Sequence, residues 1–367
     1  MIYLDYAANT PVDERVLDRF NEVTLKYSGN PNSLHTEGLN AKKEIDEASE
    51  YISNVFNTDK ENIIYTSGSS ESNNLVIKGI ALMNKGKHII ISEVEHSSVV
   101  APCNFLTNFG YDISVIHLDK TGHVDLEELE KSIRPDTVLI SITSVDSELG
   151  TIQPIKEIVK IAKKHKVLFH TDATQAIGKT NIDFNGVDFL TFAPHKFFGL
   201  NGMSVLINFN KTKLIPLIHG GKSTTIFRSG TPVTANAVAT SYALELATNN
   251  LEDKLKYIQE LKDYLISNLS DIKNIHFNSP KDSIPSTLNF SVPNASKIVE
   301  ELYKRNICIS TKSACSSQDI PSKSVYAITS NEEYAKNSIR VSFASITTKE
   351  EIEEFIKIFK EVYYENN

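Results

Sequence analysis

Short apolar, β-branched runs alternate with amphipathic stretches through most of this chain. HIIIS (88–92), TVLISIT (137–143), VLFHTDA (167–173) and VDFLTFA (187–193) predict buried strands, most of them preceded by turn or charge signals. ENIIYTSGSS reads as a strand entering a glycine turn, and ESNNLVIKGIALMNKG as the helix that follows. PIKEIVKIAKKHK (154–166) places apolar residues at helical spacing, with Pro154 in its first turn. Strand–helix alternation of this kind implies an α/β fold with a mostly parallel sheet flanked by helices. No repeat, low-complexity block or Pro/Gly-rich linker breaks it.

After about residue 250 the texture changes. A long helical pattern, ANAVATSYALELATNNLEDKLKYIQELKDYLISNL, leads into TLNFSV, a helix at 295–305, the strand NICIS, then IRVSF and a last helix. The expectation is a large α/β domain over 15–255. A smaller α+β domain, built from 1–14 and 256–367, is joined to it by one long helix.

Of the 367 residues, 40% are hydrophobic and 23% charged, the balance of a soluble globular protein long enough for two cores. A net charge of −8 argues against nucleic-acid or membrane-surface partners, which reward a basic face. MIYLDYAANTPVDE lacks the basic and apolar segments of a signal peptide, and no stretch of about 18 apolar residues is present. The three cysteines, Cys103, Cys308 and Cys315, are too scattered for a disulfide framework or a CxxC metal site. A cytoplasmic enzyme with free thiols is the expectation.

Candidate chemistry sits where strands end. SGSSES (67–72) offers backbone N–H groups and a helix dipole to a phosphate, although serine at a helix start is also an ordinary cap. Asp172 closes a strand, where a carboxylate can pair with a pyridinium nitrogen or merely cap a helix; Gln175 follows. In APHKFFGLNG (193–202), Lys196 stands beside His195 among aromatics and glycines, a setting that favours the neutral amine Schiff-base formation requires. His96 follows the strand HIIIS and suits stacking on a flat heterocycle or proton transfer, or simply a structural hydrogen bond. Cys315, in STKSACSS, is a candidate thiolate nucleophile with Lys312 three residues upstream. Arg340, on a half-buried strand pattern, wants an anion, either a substrate carboxylate or a salt-bridge partner.

The order of these pieces along one chain is more specific than any of them alone. YLDYAANTPV, GNPNSLH, YTSGSSESNN, KGKHIIISEVEHSSV, DATQAIGK, HKFFG, HGG, RSGT, SACSS and SIRVSF resemble the NifS/IscS-like cysteine desulfurases, in the class V aminotransferase group of pyridoxal-phosphate (PLP) enzymes. The resemblance runs from Ile2 to about Ile358. It implies the PLP-dependent transferase fold (fold type I, aspartate aminotransferase-like), with PLP carried by Lys196. Asp172 would meet the ring nitrogen, Gln175 the ring hydroxyl, and His96 would stack on the ring and assist proton transfer. Ser69, Ser70 and His195 would contact the phosphate, joined by Thr231 from the second subunit of a homodimer. Arg340 would hold the carboxylate of L-cysteine. Cys315 would take the substrate sulfur as a persulfide and pass it to an acceptor protein for iron–sulfur assembly or tRNA thiolation, with transient contact of an iron–sulfur cluster at Cys315 and no resident metal.

Several positions depart from the family pattern. Asp146-Ser147-Glu148 replaces Asn-Asn-Glu, which puts a shorter Ser147 near the ring hydroxyl. Ala193 and Pro194 replace a serine and a glycine, Lys222-Ser223-Thr224 replaces a Gly-Gln-Glu-like run, and Lys312 replaces a loop glycine. The chain stops at Asn367, short of the tail that IscS-like members use near their scaffold partner. These departures motivate two alternatives: another class V PLP reaction (an aminotransferase or amino-acid lyase, such as a selenocysteine lyase), and a cofactor-poor binding subunit.

Overall fold

The computed structural model describes residues 1–221, 225–311 and 321–366. Its centre is a seven-stranded sheet in the spatial order Ile63–Thr66, Ser204–Asn208, Phe189–Phe192, Leu168–Asp172, Thr137–Ser141, His88–Ser92, Asp112–Ile116. Pairings from Phe189–Phe192 through to Asp112–Ile116 are parallel; Ser204–Asn208 alone runs against both neighbours. The inner strands are buried on both faces, which is why their sequences read as continuous apolar runs rather than as alternation. Helices Ser69–Met83 and Ser97–Thr107 share one core with the sheet, around Ile80, Ile89 and Leu106. Ile155–His165 buries Ile155, Ile158, Val159 and Ala162 in another.

A separate core gathers the C-terminal elements. Ser338–Ser342, Thr287–Ser291 and His276–Phe277 form a three-stranded antiparallel sheet. Helices Leu251–Leu269, Ala295–Lys304 and Lys349–Asn366 cover it, with Phe290, Phe355 and Phe359 at the centre. The N-terminal strand Ile2–Tyr3 pairs with Ile307–Cys308, and Ile2 and Leu4 are buried in this same core. The chain therefore starts in the C-terminal core and crosses to the central sheet through Asp5–Thr10.

The expected long connecting helix is two helices, Thr234–Thr248 and Leu251–Leu269. Asn250, at φ +52°, breaks it in a left-handed conformation that asparagine tolerates better than most side chains. Two smaller differences accompany this one. Pro154 caps its helix rather than sitting in the first turn, and NICIS contributes only Ile307 and Cys308 to a strand.

Candidate active site

The carboxyl ends of the parallel strands converge on one edge of the sheet, where open α/β sheets bind ligands. Thr66 leads through Gly68 to the N-terminus of Ser69–Met83, and Ser92 leads to His96 at the N-cap of Ser97–Thr107. Asp172 is the last residue of its strand, and Phe192 leads into a single 3-10 turn, Pro194–Lys196.

Asp172 is 6% exposed. Its Oδ2 accepts from Asn73 Nδ2 at 2.7 Å and its Oδ1 from the Thr174 N–H at 2.9 Å, so both oxygens are aimed by fixed donors. Asn73 is held in turn by Ser98 Oγ at 2.9 Å. Below Asp172 on the same strand, buried His170 bonds Ser141 and Thr191, and burial lowers its pKa to about 4, outweighing the nearby carboxylate. Glu95 is buried close by, accepting from Ser92 Oγ at 2.5 Å and the Thr143 N–H at 2.7 Å. Burial, helped by the charge of Asp172, pushes Glu95 up to about 8. At neutral pH Glu95 therefore keeps its proton beside Asp172.

His96 is exposed, and its Nδ1 accepts from the Ser98 N–H at 3.1 Å. An Nδ1 that accepts leaves Nε2 to carry the proton of the neutral ring. His195 is half-buried; burial, then the charges of Lys196 and Lys179, lower its pKa to about 4.

Lys196 Nζ donates to the carbonyls of Ala7 at 3.1 Å and Ala8 at 2.5 Å. Gln175 Nε2 donates to the same Ala7 carbonyl at 2.9 Å, and its Oε1 accepts from Lys179 Nζ at 2.6 Å. The N-terminal crossing segment is thus part of the site floor. It is fixed by the Thr10 N–H and Thr10 Oγ1, both donating to the His195 carbonyl, while Thr10 Oγ1 accepts from the Phe198 N–H.

Arg340 lies on a strand that is buried along its whole length, not half-buried as its pattern suggests, and is 1% exposed. Nη2 pairs with Asp5 Oδ1 at 2.9 Å and Nη1 donates to the Ser147 carbonyl at 3.0 Å. Asp5 also accepts from Ser310 Oγ. Nε is buried with no hydrogen-bond partner among the described residues. A buried guanidinium whose Nε has no partner among these residues, and whose Nη atoms each make a single bond to them, is matched to a carboxylate.

The other expected residues are placed as follows. Ser69 Oγ lies 3.0 Å from Thr174 Oγ1, tying the helix N-terminus to the turn that follows Asp172, and Ser70 is exposed on the first turn of the helix. Thr231 is exposed and borders a cavity of about 540 Å³ with Ser67 and Arg228, whereas Lys196 borders a different one of about 140 Å³. Arg228 Nε pairs with Glu71 at 2.9 Å; burial opposes, but this contact and the Ser67 hydrogen bonds hold the Glu71 carboxyl below its ordinary range. Cys315, Lys312 and Lys222–Thr224 lie outside the described residues. Among the described residues no cluster of His, Cys, Asp and Glu could hold a metal, and no helix is long and apolar enough to cross a membrane.

Asn73, Asp5, Lys179 and the Ala7 and Ala8 carbonyls had no role in the sequence reading. Their signal was available only as membership of the matching runs YTSGSSESNN, YLDYAANTPV and DATQAIGK.

The family model "Aminotransferase class-V" matches residues 2–355. A protein from Dictyoglomus turgidum named cysteine desulfurase IscS is 39% identical over 98% of this chain and 94% of its own. A solved NifS-like protein superposes with a TM-score of 0.92 at 32% identity, covering 98% of each chain. A solved structure described as SspA in complex with cysteine has a TM-score of 0.84 at 32% identity, covering 95% of this chain and all of its own.

Proposed function

The chain belongs to the class-V aminotransferase family and is a PLP-dependent enzyme of the cysteine desulfurase type, and from this we propose how its residues divide the reaction. L-Cysteine gives up its sulfur, L-alanine leaves, and the sulfur stays on Cys315 as a persulfide. The observation that carries this assignment is the junction at the sheet edge of a buried Asp172, the Lys196 amine and a buried Arg340 with an unspent donor.

The residues fit PLP. Asp172 is a buried carboxylate whose acidic neighbour Glu95 holds its own proton, the environment a cationic ring nitrogen requires. Lys196 would hold the cofactor covalently, and Ser69, Ser70 and His195 would hold its phosphate, assisted by the dipole of Ser69–Met83. Gln175 and Ser147 would face the ring hydroxyl, and His96 would cover the ring. When bound, PLP supplies an electron sink for charge developing at the substrate Cα.

Arg340 positions the substrate by offering Nε to its carboxylate while Asp5 fixes the guanidinium plane. Lys196, once released, is the amine placed to move the Cα proton. His96, anchored at Nδ1 by the Ser98 N–H and hydroxyl, would pass a proton through Nε2. Cys315, as thiolate, attacks the substrate sulfur. An S–S bond forms as the Cβ–S bond breaks, the electron pair remains on carbon, and protons taken up there complete alanine.

We further propose that the chain divides into domains 15–255 and 1–14 plus 256–367, acts in the cytoplasm as a homodimer with Thr231 of the partner subunit reaching each phosphate, and delivers sulfur to an acceptor protein of iron–sulfur assembly or tRNA thiolation. The free thiols and the exposed position of Thr231, away from the Lys196 cavity, support this reading. Purified protein supplied with L-cysteine and a thiol reductant is expected to be yellow and to yield alanine and sulfide in equal amounts. A colourless Lys196→Ala variant is expected to yield neither. A yellow protein that makes no alanine from cysteine contradicts the proposal.

A further inference from the structure

Lys179 is a lysine the chain has turned inward. Gly178, at φ +73°, reverses the backbone just before it, and a side chain at 178 would crowd Ala247 Cβ at 3.0 Å and Phe197 Cβ at 3.3 Å. The result is an amine on a residue only 8% exposed, bordering the same 140 Å³ cavity as Lys196. Among the described residues, its one hydrogen-bond acceptor is Gln175 Oε1, at 2.6 Å, four residues upstream in the turn that follows Asp172. Burying a lysine amine against a single amide oxygen is costly for stability alone, and an apolar residue would fill the space better.

The contact does specify something. A glutamine amide can face either way, because its oxygen and nitrogen are nearly the same size. Here the Ala7 carbonyl can only accept, and it receives Gln175 Nε2 at 2.9 Å, which leaves Oε1 facing the Lys179 amine, a donor whether charged or neutral. Lys196 Nζ shares that Ala7 carbonyl, so the amide is locked one carbonyl away from the cofactor-bearing amine.

We propose that Lys179 is a positioning residue: by donating to Gln175 Oε1 it fixes the amide with its N–H₂ end toward the Lys196 side, so that this end donates to an oxygen anion on the ring. The inference rests on the PLP-dependent reading above and adds to it a residue that touches neither cofactor nor substrate. The charged groups that bear on Lys179 are Lys196 and Arg340, with Asp13, Arg15 and Lys254 around the shared cavity. Burial and the charges of Lys196 and Arg340 hold its own pKa well below that of an ordinary lysine. A direct effect of its charge on Lys196 is therefore the rival explanation that a test must separate.

The experiment is a pH titration of the visible absorbance of the holoenzyme without substrate, in four proteins: wild type, Lys179→Met, Gln175→Ala and the double variant. Wild-type protein with a pH-dependent visible band satisfies the underlying reading, and its absence sinks that reading independently of Lys179. Given the band, Lys179→Met is expected to raise its midpoint by about half a unit to one unit, the effect of losing one oriented hydrogen bond. In the Gln175→Ala background the same substitution is expected to change nothing further. An unmoved midpoint in Lys179→Met, or an equal shift with and without Gln175, overturns the proposal. Should Lys179→Met fold poorly, Lys179→Ala reads the same midpoint with the same two outcomes.

Discussion

Arg340 and Asn73 show at the residue scale how the site is assembled from distant parts. Arg340 reaches Asp5 across 335 positions of sequence, and Asn73 reaches Asp172 across 99. Arg340→Lys removes the planar fork but keeps the charge, so it is expected to raise KM for L-cysteine by tenfold or more with a smaller change in kcat, measured by alanine release. Asn73→Ala removes a neutral donor to a charged acceptor, worth about 1.5–3 kcal/mol. Cofactor affinity is expected to fall roughly tenfold or more, as followed by fluorescence on reconstitution. Glu95 supplies a pH test. Its folded pKa, about 8, lies above the ordinary 4.5, so the unfolded chain binds fewer protons and folding stability declines as pH rises from about 4.5 to 8. Glu95→Gln mimics the protonated form. Its stability relative to wild type, from urea melts at a series of pH values, is expected to grow over that window and level off above it. A constant difference would contradict the assignment.

The strands and most helices were legible from the sequence, because buried parallel strands are short β-branched runs and the helices carry apolar residues at helical spacing. His88–Ser92 agrees with its sequence reading to the residue, and Ile155–His165 lies within one residue at each end of the expected span. The break at Asn249-Asn250 was not legible, since apolar periodicity continues on both sides and only the backbone of Asn250 departs from it. At φ +52° a β-branched residue is strained by about 1–3 kcal/mol. Asn250→Val is accordingly expected to lower the melting temperature by several degrees, and Asn250→Gly to leave it nearly unchanged, by calorimetry. A similar loss in both would place the strain elsewhere. Half of the site was equally invisible for a physical reason. The Ala7 and Ala8 carbonyls that receive Lys196 and Gln175 are backbone groups, which any residue type would supply, so no side-chain pattern marks them. What was legible were candidate side chains at or just beyond the carboxyl end of a strand, namely His96, Asp172 and Lys196.

At the scale of the whole molecule, one segment does more than its length suggests. Residues 2–4 are anchored in the C-terminal core, Asp5 holds Arg340, Ala7 and Ala8 receive Lys196, and Thr10 holds the turn that carries Lys196. The crossing from one core to the other is thereby also the link between Arg340, proposed to bind the substrate carboxylate, and Lys196, proposed to bear the cofactor. A shared-site homodimer would scatter light with twice the 40.9 kDa mass of one chain. The central claim, however, is chemical: sulfur leaves L-cysteine onto Cys315. The most direct measurement is the intact mass of the holoenzyme after one equivalent of L-cysteine without reductant, together with the alanine released. One added sulfur atom, located on Cys315 by peptide mapping, is expected with one alanine per site, and neither in Cys315→Ala. Alanine formed at full rate by Cys315→Ala, or a sulfur mapped to Cys103 or Cys308, would contradict that claim.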